Sequence, residues 1–219
     1  MLSVAGILLV IARPDTHLIT NEIDRRAAPP KPVVATADEY LGIVRAVVAA
    51  SEFRGLPPPP PEPGSELREE PKREVLLLDR SVALCQKIES KTHCSLPLRL
   101  SSASFEVRDY VPLKWLQELE LANAAVAIVP NPRSAGIRYV PSGEVAALAS
   151  DWEGFYADYP RTTGILRMSV PVFLDTTRSR ALIYVEHRCG GFCGAGTLHL
   201  LHLEPEGWKQ VGRLWMSMS

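Results

Sequence analysis

The sequence has no excess of charge of either sign. It carries 24 Lys and Arg against 25 Asp and Glu, a formal net charge of -1. It therefore lacks the sustained field by which nucleic acid, an anionic membrane or an acidic partner would be drawn to it. It also lacks an apolar run that could cross a bilayer as a helix, which takes about 20 residues. Missing too are the Gly-x-Ser-x-Gly elbow of a serine hydrolase, the Gly-x-Gly-x-x-Gly turn of a dinucleotide site and the phosphate loop. Ser, His and Asp are scattered without a local nucleophile signature, so no residue is assigned a catalytic role and no cofactor is expected. Nucleic acid and a transmembrane span are excluded on the same grounds.

What is present suits a globular chain, with 46% apolar and 22% charged residues. Its 219 residues fit one domain with an extended arm, and 19 prolines against 14 glycines are its one oddity. The apolar stretch Leu2 to Ala12 has the length of a signal-peptide core, but no Lys or Arg precedes it and Arg13-Pro14 follows without a small-x-small cleavage site. A signal or anchor competes here with a buried first strand. The first reading places the protein outside the cytoplasm or tethered to a membrane, with a protein or cell-envelope partner; the second leaves a cytoplasmic location open. Pro14 to Ala35 is polar and dotted with proline, the composition of an arm. The expected organisation is thus an arm over 1–35 and a single α+β domain over 36–219, with an exposed proline-rich loop at 56–72. Pro57 to Pro61 suits either a stiff spacer or a ligand for an aromatic groove.

The domain opens on Thr36-Ala37-Asp38-Glu39, the spacing of a capping box, in which the Thr hydroxyl and Glu carboxylate satisfy amides at a helix start. Tyr40, Val44, Val47 and Val48 then share one helical face, and Gly55 is placed to end the helix. Glu74 to Asp79 is a short apolar run that suits a buried strand. Pro112 can open a helix through Leu121. Ser142 can cap a short helix through Ala149, and Asp151 a second one whose stripe of Trp152, Phe155, Tyr156 and Tyr159 packs on the core before Pro160 ends it.

Four strands follow. Leu166, Met168, Val170, Val172 and Leu174 share one parity while Arg167 and Ser169 lie on the other, and Pro171 marks an edge or a bulge. Ala181 to Val185, Thr197 to Glu204 and Trp208 to Met216 are the others, with Pro205-Glu206-Gly207 as a tight turn. Connections this short force antiparallel neighbours. The fold class is therefore α+β: a C-terminal antiparallel meander of about four strands packed with short helices, plus an N-terminal helix.

The densest local signal is His187-Arg188-Cys189-Gly190-Gly191-Phe192-Cys193-Gly194-Ala195-Gly196, a candidate binding loop whose glycines suggest backbone angles closed to other residues. Together with Trp152, Phe155-Tyr156, Tyr159-Pro160 with Thr162 and Gly164, Ala181 to Val185, and Trp215-Met216-Ser217, it resembles an uncharacterised bacterial family. That family shows Tyr-Pro-x-Ser-x-Gly, a strand like Ala-Leu-Val-Tyr-Val, Cys-Gly-x-Leu-Cys-Gly-x-Gly and a final Trp-x-Ser. The likeness covers the last third of the chain. It departs at Arg161, where the family has Gly, and at Val170-Pro171-Val172, where it has Arg-Val-Gly. The resemblance implies a shared fold and transfers no catalytic residue.

Three chemistries compete for the cysteines. A tight turn can bring Cys189 and Cys193 to disulfide distance, with Cys85 and Cys94 as a second bridge, although four cysteines permit three pairings. Zinc could take Cys189, Cys193 and a histidine such as His187, His199 or His202, but Cys-x3-Cys is not the usual knuckle, and His199 and His202 alternate along a strand. A reactive thiol beside His187 or Arg188 is the third. The leading expectation is a non-enzymatic structural or binding domain with a rigid Cys/Gly loop. The alternative is a metal-binding or thiol-dependent enzyme using Cys189, Cys193 and His187.

Overall fold

A computed structural model describes residues 35–51, 74–88, 91–94, 111–134, 136–146 and 148–218, all within the compact unit Pro32–Ser219. The stretch Leu2 to Ala12, the arm up to residue 34, Gly55, the run Pro57 to Pro61 and residues 95–110 lie outside the described residues. Along the chain come α1 (Ala37–Ala50), β1 (Glu74–Leu78), β2 (Cys85–Ile88), β3 (Lys91–Cys94), α2 (Leu113–Ala122), β4 (Ile137–Val140) and α3 (Ser142–Ala146). A 3-10 turn (Leu148–Ser150) precedes α4 (Trp152–Asp158). Then follow β5 (Thr162–Met168), β6 (Val172–Phe173), β7 (Arg180–Gly190), β8 (Cys193–Glu204) and β9 (Gly207–Met218).

The α+β class holds, but the sheet is larger than a four-stranded meander. Seven strands form it in the order β4-β1-β5-β7-β8-β9, with β6 pairing β7, while β2 and β3 make a separate two-stranded sheet. From β5 onward the neighbours are antiparallel as the short turns require. β1 breaks that rule by lying parallel to both β4 and β5, which the long stretches of chain between it and these later strands permit. Its Val75, Leu76, Leu77 and Leu78 are all buried, the continuous apolar pattern of a strand covered on both faces.

The two faces have different cover. On one, α1 lays Tyr40, Ile43, Val44 and Val47 against Val75, Leu77, Leu166, Met168, Ile183, Val185 and Leu201. On the other, α2 packs Leu116 and Leu119 on Leu182, Tyr184 and Leu198. Beside it, α3 and α4 place Val145 and Phe155 on Leu76, Leu78 and Ile165. The capping box forms as its spacing predicts: Thr36 Oγ1 accepts from the Glu39 amide and Glu39 accepts from the Thr36 amide. Glu39 also receives a two-pronged ion pair from Arg178, with Nε at 2.7 Å, tying the start of α1 to the β6–β7 turn. Glu39 is held below the usual carboxylate range by its hydrogen bonds and the Arg178 charge, against a desolvation cost that pushes the other way.

Three expectations need correction. Helix α1 ends at Ala50, with Ser51 donating its amide to the Val47 carbonyl, well before Gly55. Ser142 is the first helical residue of α3 and not its cap; the cap comes from Asp79 at the end of β1, which accepts from the Ser142 amide at 2.7 Å and from its hydroxyl. The first C-terminal strand is split at Pro171, and its side chains change sides there. Met168 pairs Val185 and Val172 pairs Leu182, so four steps along one strand face three along the other, and the extra residue turns Val172 to the α2 face.

Asn123, fully buried after α2, holds this break. Its Nδ2 donates to the Leu119 and Val170 carbonyls at 2.9 and 2.8 Å, and its Oδ1 accepts from the Val170 amide at 2.6 Å. Asn123→Ala leaves the Val170 amide and carbonyl without these partners and is expected to lower unfolding free energy by roughly 2 kcal/mol. Urea titration with an unchanged slope is the measurement; a midpoint equal to the parent's would refute the assignment.

Candidate functional site

Strands β7 and β8, of 11 and 12 residues, form a long hairpin, and the candidate loop sits at its tip. The structure shortens that loop. β7 runs through Gly190 and β8 starts at Cys193, leaving only Gly191 and Phe192 in the turn. Gly190 pairs Cys193, Arg188 pairs Gly194 and Glu186 pairs Gly196, so three of the four expected loop glycines are strand residues. Nor do these glycines need unusual angles: the described glycines with positive φ are Gly136, Gly164 and Gly207. Left-handed backbone therefore does not explain the glycine density here.

The cysteines fall into two separate pairs. Cys189 and Cys193 lie across the tip at disulfide-bonding distance, with α-carbons 5.0 Å apart, where a register shift between Arg188 and Gly190 brings them together. Cys85 and Cys94 lie directly opposite each other on β2 and β3, with α-carbons 4.1 Å apart, close to the shorter of the two cross-strand spacings. That second pair belongs to the small sheet and not to the tip. No described cysteine is free.

Around the tip, burial divides the residues sharply. Cys189 is 2% exposed, whereas Phe192 is 99% exposed. Tyr156 of α4 donates its hydroxyl to the Cys189 carbonyl at 3.0 Å, and Arg188 lies over the Trp152 ring at 6.0 Å. The aromatic stripe, expected as core, therefore has two roles. Phe155 is buried, and it is surrounded by Trp152, Tyr156 and Tyr159 at ring separations of 5.1 to 5.3 Å, while the partly buried Trp152 and Tyr156 buttress the hairpin just below its tip. Sequence reading missed this because period alone does not distinguish a ring wholly inside from one at the rim.

The histidines are not gathered at the tip. His187 is buried and its Nε2 donates to the Thr163 carbonyl of β5 at 3.0 Å; burial pushes its pKa below the ordinary 6.5. His199 pairs Ile183 in mid-sheet and is fully buried. Its Nδ1 meets Gln210 Oε1 at 2.5 Å and its Nε2 meets Thr197 Oγ1 at 2.7 Å. With a carbonyl oxygen opposite, Nδ1 carries the proton, and Nε2 accepts from the hydroxyl. Burial pushes this imidazole down to about 4, with the Arg213 charge adding to it and the Gln210 hydrogen bond opposing it. His202 is exposed. The donor set Cys189, Cys193, His187 and His199 is thus split between a sulfur pair and hydrogen-bonded buried rings. Among the described residues, no three of His, Cys, Asp and Glu are placed to hold one metal ion. The Thr197-x-His199 spacing was the available signal for the buried trio, since residues two apart share a strand face.

No helix among the described residues is long and apolar enough to cross a membrane. No family model matches the chain, and neither the curated proteins nor the solved structures contain a match.

Proposed function

We propose that this is a non-enzymatic binding domain of the extracytoplasmic space, with the β7–β8 tip as its recognition element. The observation that carries the reading is Phe192, 99% exposed on a two-residue turn between cysteines at bonding distance. A large apolar ring held in water on a short turn is an anchor of the kind that fills a pocket on a partner, because little ordering entropy opposes its docking. Arg188 beside Trp152 supplies a polar rim. Two cysteine pairs agree with an oxidising compartment, and the apolar stretch Leu2 to Ala12 agrees with export. Kinship with the bacterial family sharing the Cys-Gly-x-x-Cys-Gly-x-Gly pattern is part of the proposal.

The test is a benzophenone-bearing phenylalanine analogue placed at position 192 and photolysed in intact cells, with the same analogue at the exposed Thr176 as a control. A discrete crosslinked product at 192 that is absent at 176, and is lost when Arg188 is changed to Glu, is expected. Identical products at the two positions would remove the tip from the recognition role. Native alkylation separates the thiol-enzyme alternative: all four cysteines should resist a mass tag until a reductant is added.

A further inference from the structure

We infer that the Cys189–Cys193 bond is a redox latch on Phe192, opened by a dithiol reductant without unfolding the domain. Little else orders the tip. The regular pairing of β7 with β8 is already interrupted between Arg188 and Gly190. A side chain added at Gly191 would meet nothing within 4 Å, and one added at Gly190 would meet only Cys193. Phe192 has no cover. Gly190 and Cys193 are still paired across the strands, so the covalent link is the main restraint on the turn residues Gly191 and Phe192, and without it they fall at the low-stability end of the fold, where local opening costs little. Below them the hairpin is held by the Tyr156 hydrogen bond to the Cys189 carbonyl and by the uninterrupted pairing from Arg180 to Arg188, so opening stops there.

The exchange balances with one reagent. A thiolate of the dithiol attacks Cys193 Sγ, which is half-buried at the tip, and the bonding electrons leave on Cys189 Sγ, which takes up a proton. The reagent's second thiolate then displaces Cys193 from the mixed disulfide. The protein ends with two thiols and the reagent with a disulfide. Whether the released tip loses a binding partner rests on the recognition reading above. The latch itself does not, and its test reads order and not binding.

Phe192 supplies that test, because chymotrypsin cleaves after phenylalanine and needs a mobile segment to do so. The full chain is incubated with chymotrypsin, with and without prior treatment by dithiothreitol, and cleavage between Phe192 and Cys193 is followed by mass. Cleavage is expected to accelerate by about tenfold or more on reduction while the far-ultraviolet dichroism stays that of the sheet. A Cys189→Ser/Cys193→Ser variant should be cut rapidly with or without reductant. Equal rates in the oxidised and reduced wild-type chain, or loss of the sheet signal in the Cys189→Ser/Cys193→Ser variant, which keeps the Cys85–Cys94 pair, would overturn the inference.

Discussion

Gly164→Ala is expected to lower the unfolding free energy by about 4 kcal/mol, near 10 °C in melting temperature for a chain of this size. Two independent costs meet at this position. Its φ is +123°, a region in which an L side chain is strained by about 1 to 3 kcal/mol. In addition, a Cβ built there would lie 2.3 Å from the Arg188 carbonyl oxygen of β7 and 3.1 Å from the Cys189 Cα. Backbone cannot rotate aside as a side-chain end can, so β5 and β7 would have to separate. The cause is local: between Glu74 and Leu76, β1 advances two residues while β5 advances from Thr162 to Ile165, and the surplus residue is absorbed next to Gly164. Thr162 Oγ1, which accepts from the Gly164 amide and reaches the Glu74 carbonyl, fixes the kink. Gly212→Ala is the matched control, since its Cβ would meet only the Leu200 side chain, with Cβ at 3.5 Å and Cδ2 at 3.9 Å, ordinary contacts; its cost should stay under about 1 kcal/mol. Equal urea midpoints for the two variants would contradict the argument.

Acidification should drain about 3 kcal/mol from the fold through His199 alone. Above its ordinary value of 6.5 the ring is neutral folded and unfolded, and it makes no pH-dependent contribution. As pH falls below 6.5 the unfolded chain takes a proton that the buried ring refuses until about 4, so stability is lost across that window and the loss is complete below it. His187, also lowered by burial, acts in the same direction. Asp79, Asp175 and Glu39 are lowered carboxylates; their contributions are present above the ordinary carboxylate range and are lost as pH falls through their lowered values, so a comparison of about pH 7.5 with about pH 5 isolates the histidines. Between those points the wild-type chain should lose about 2 kcal/mol through His199, read as a falling urea midpoint, and His199→Gln should lose distinctly less. Parallel pH profiles for the two proteins would show that the ring does not stay neutral in the fold.

The helix starts and the last hairpin were legible because their signals are local. The capping box of Thr36 and Glu39, the Asp151 cap, which accepts from the Gly154 amide at 3.1 Å, and the Pro205-Glu206 turn each lie within four residues of what they control. What could not be read depends on partners distant in sequence. β4 is four residues at the sheet edge with mixed polarity, and only the β1 register makes it a strand. Alternation from Leu166 to Leu174 predicted one face, yet Asn123, about fifty residues earlier, holds the break that reverses it. At the candidate site, the cysteine spacing indicated that Cys189 and Cys193 could meet. The Tyr156 buttress and the Thr163 partner of His187 come from other elements and left no trace near the loop.

The parallel placement of β1 has a consequence for synthesis in the cell. The apolar strand Val75 to Leu78 leaves the ribosome well before Ile137–Val140 and Thr162–Met168, the two neighbours that will flank it. Until both have emerged it remains a sticky, unmatched ribbon, while the later β-hairpins zip up within themselves as soon as they appear. Holding chaperones should therefore engage the nascent chain in the interval between these segments and let go once Met168 is clear of the exit tunnel.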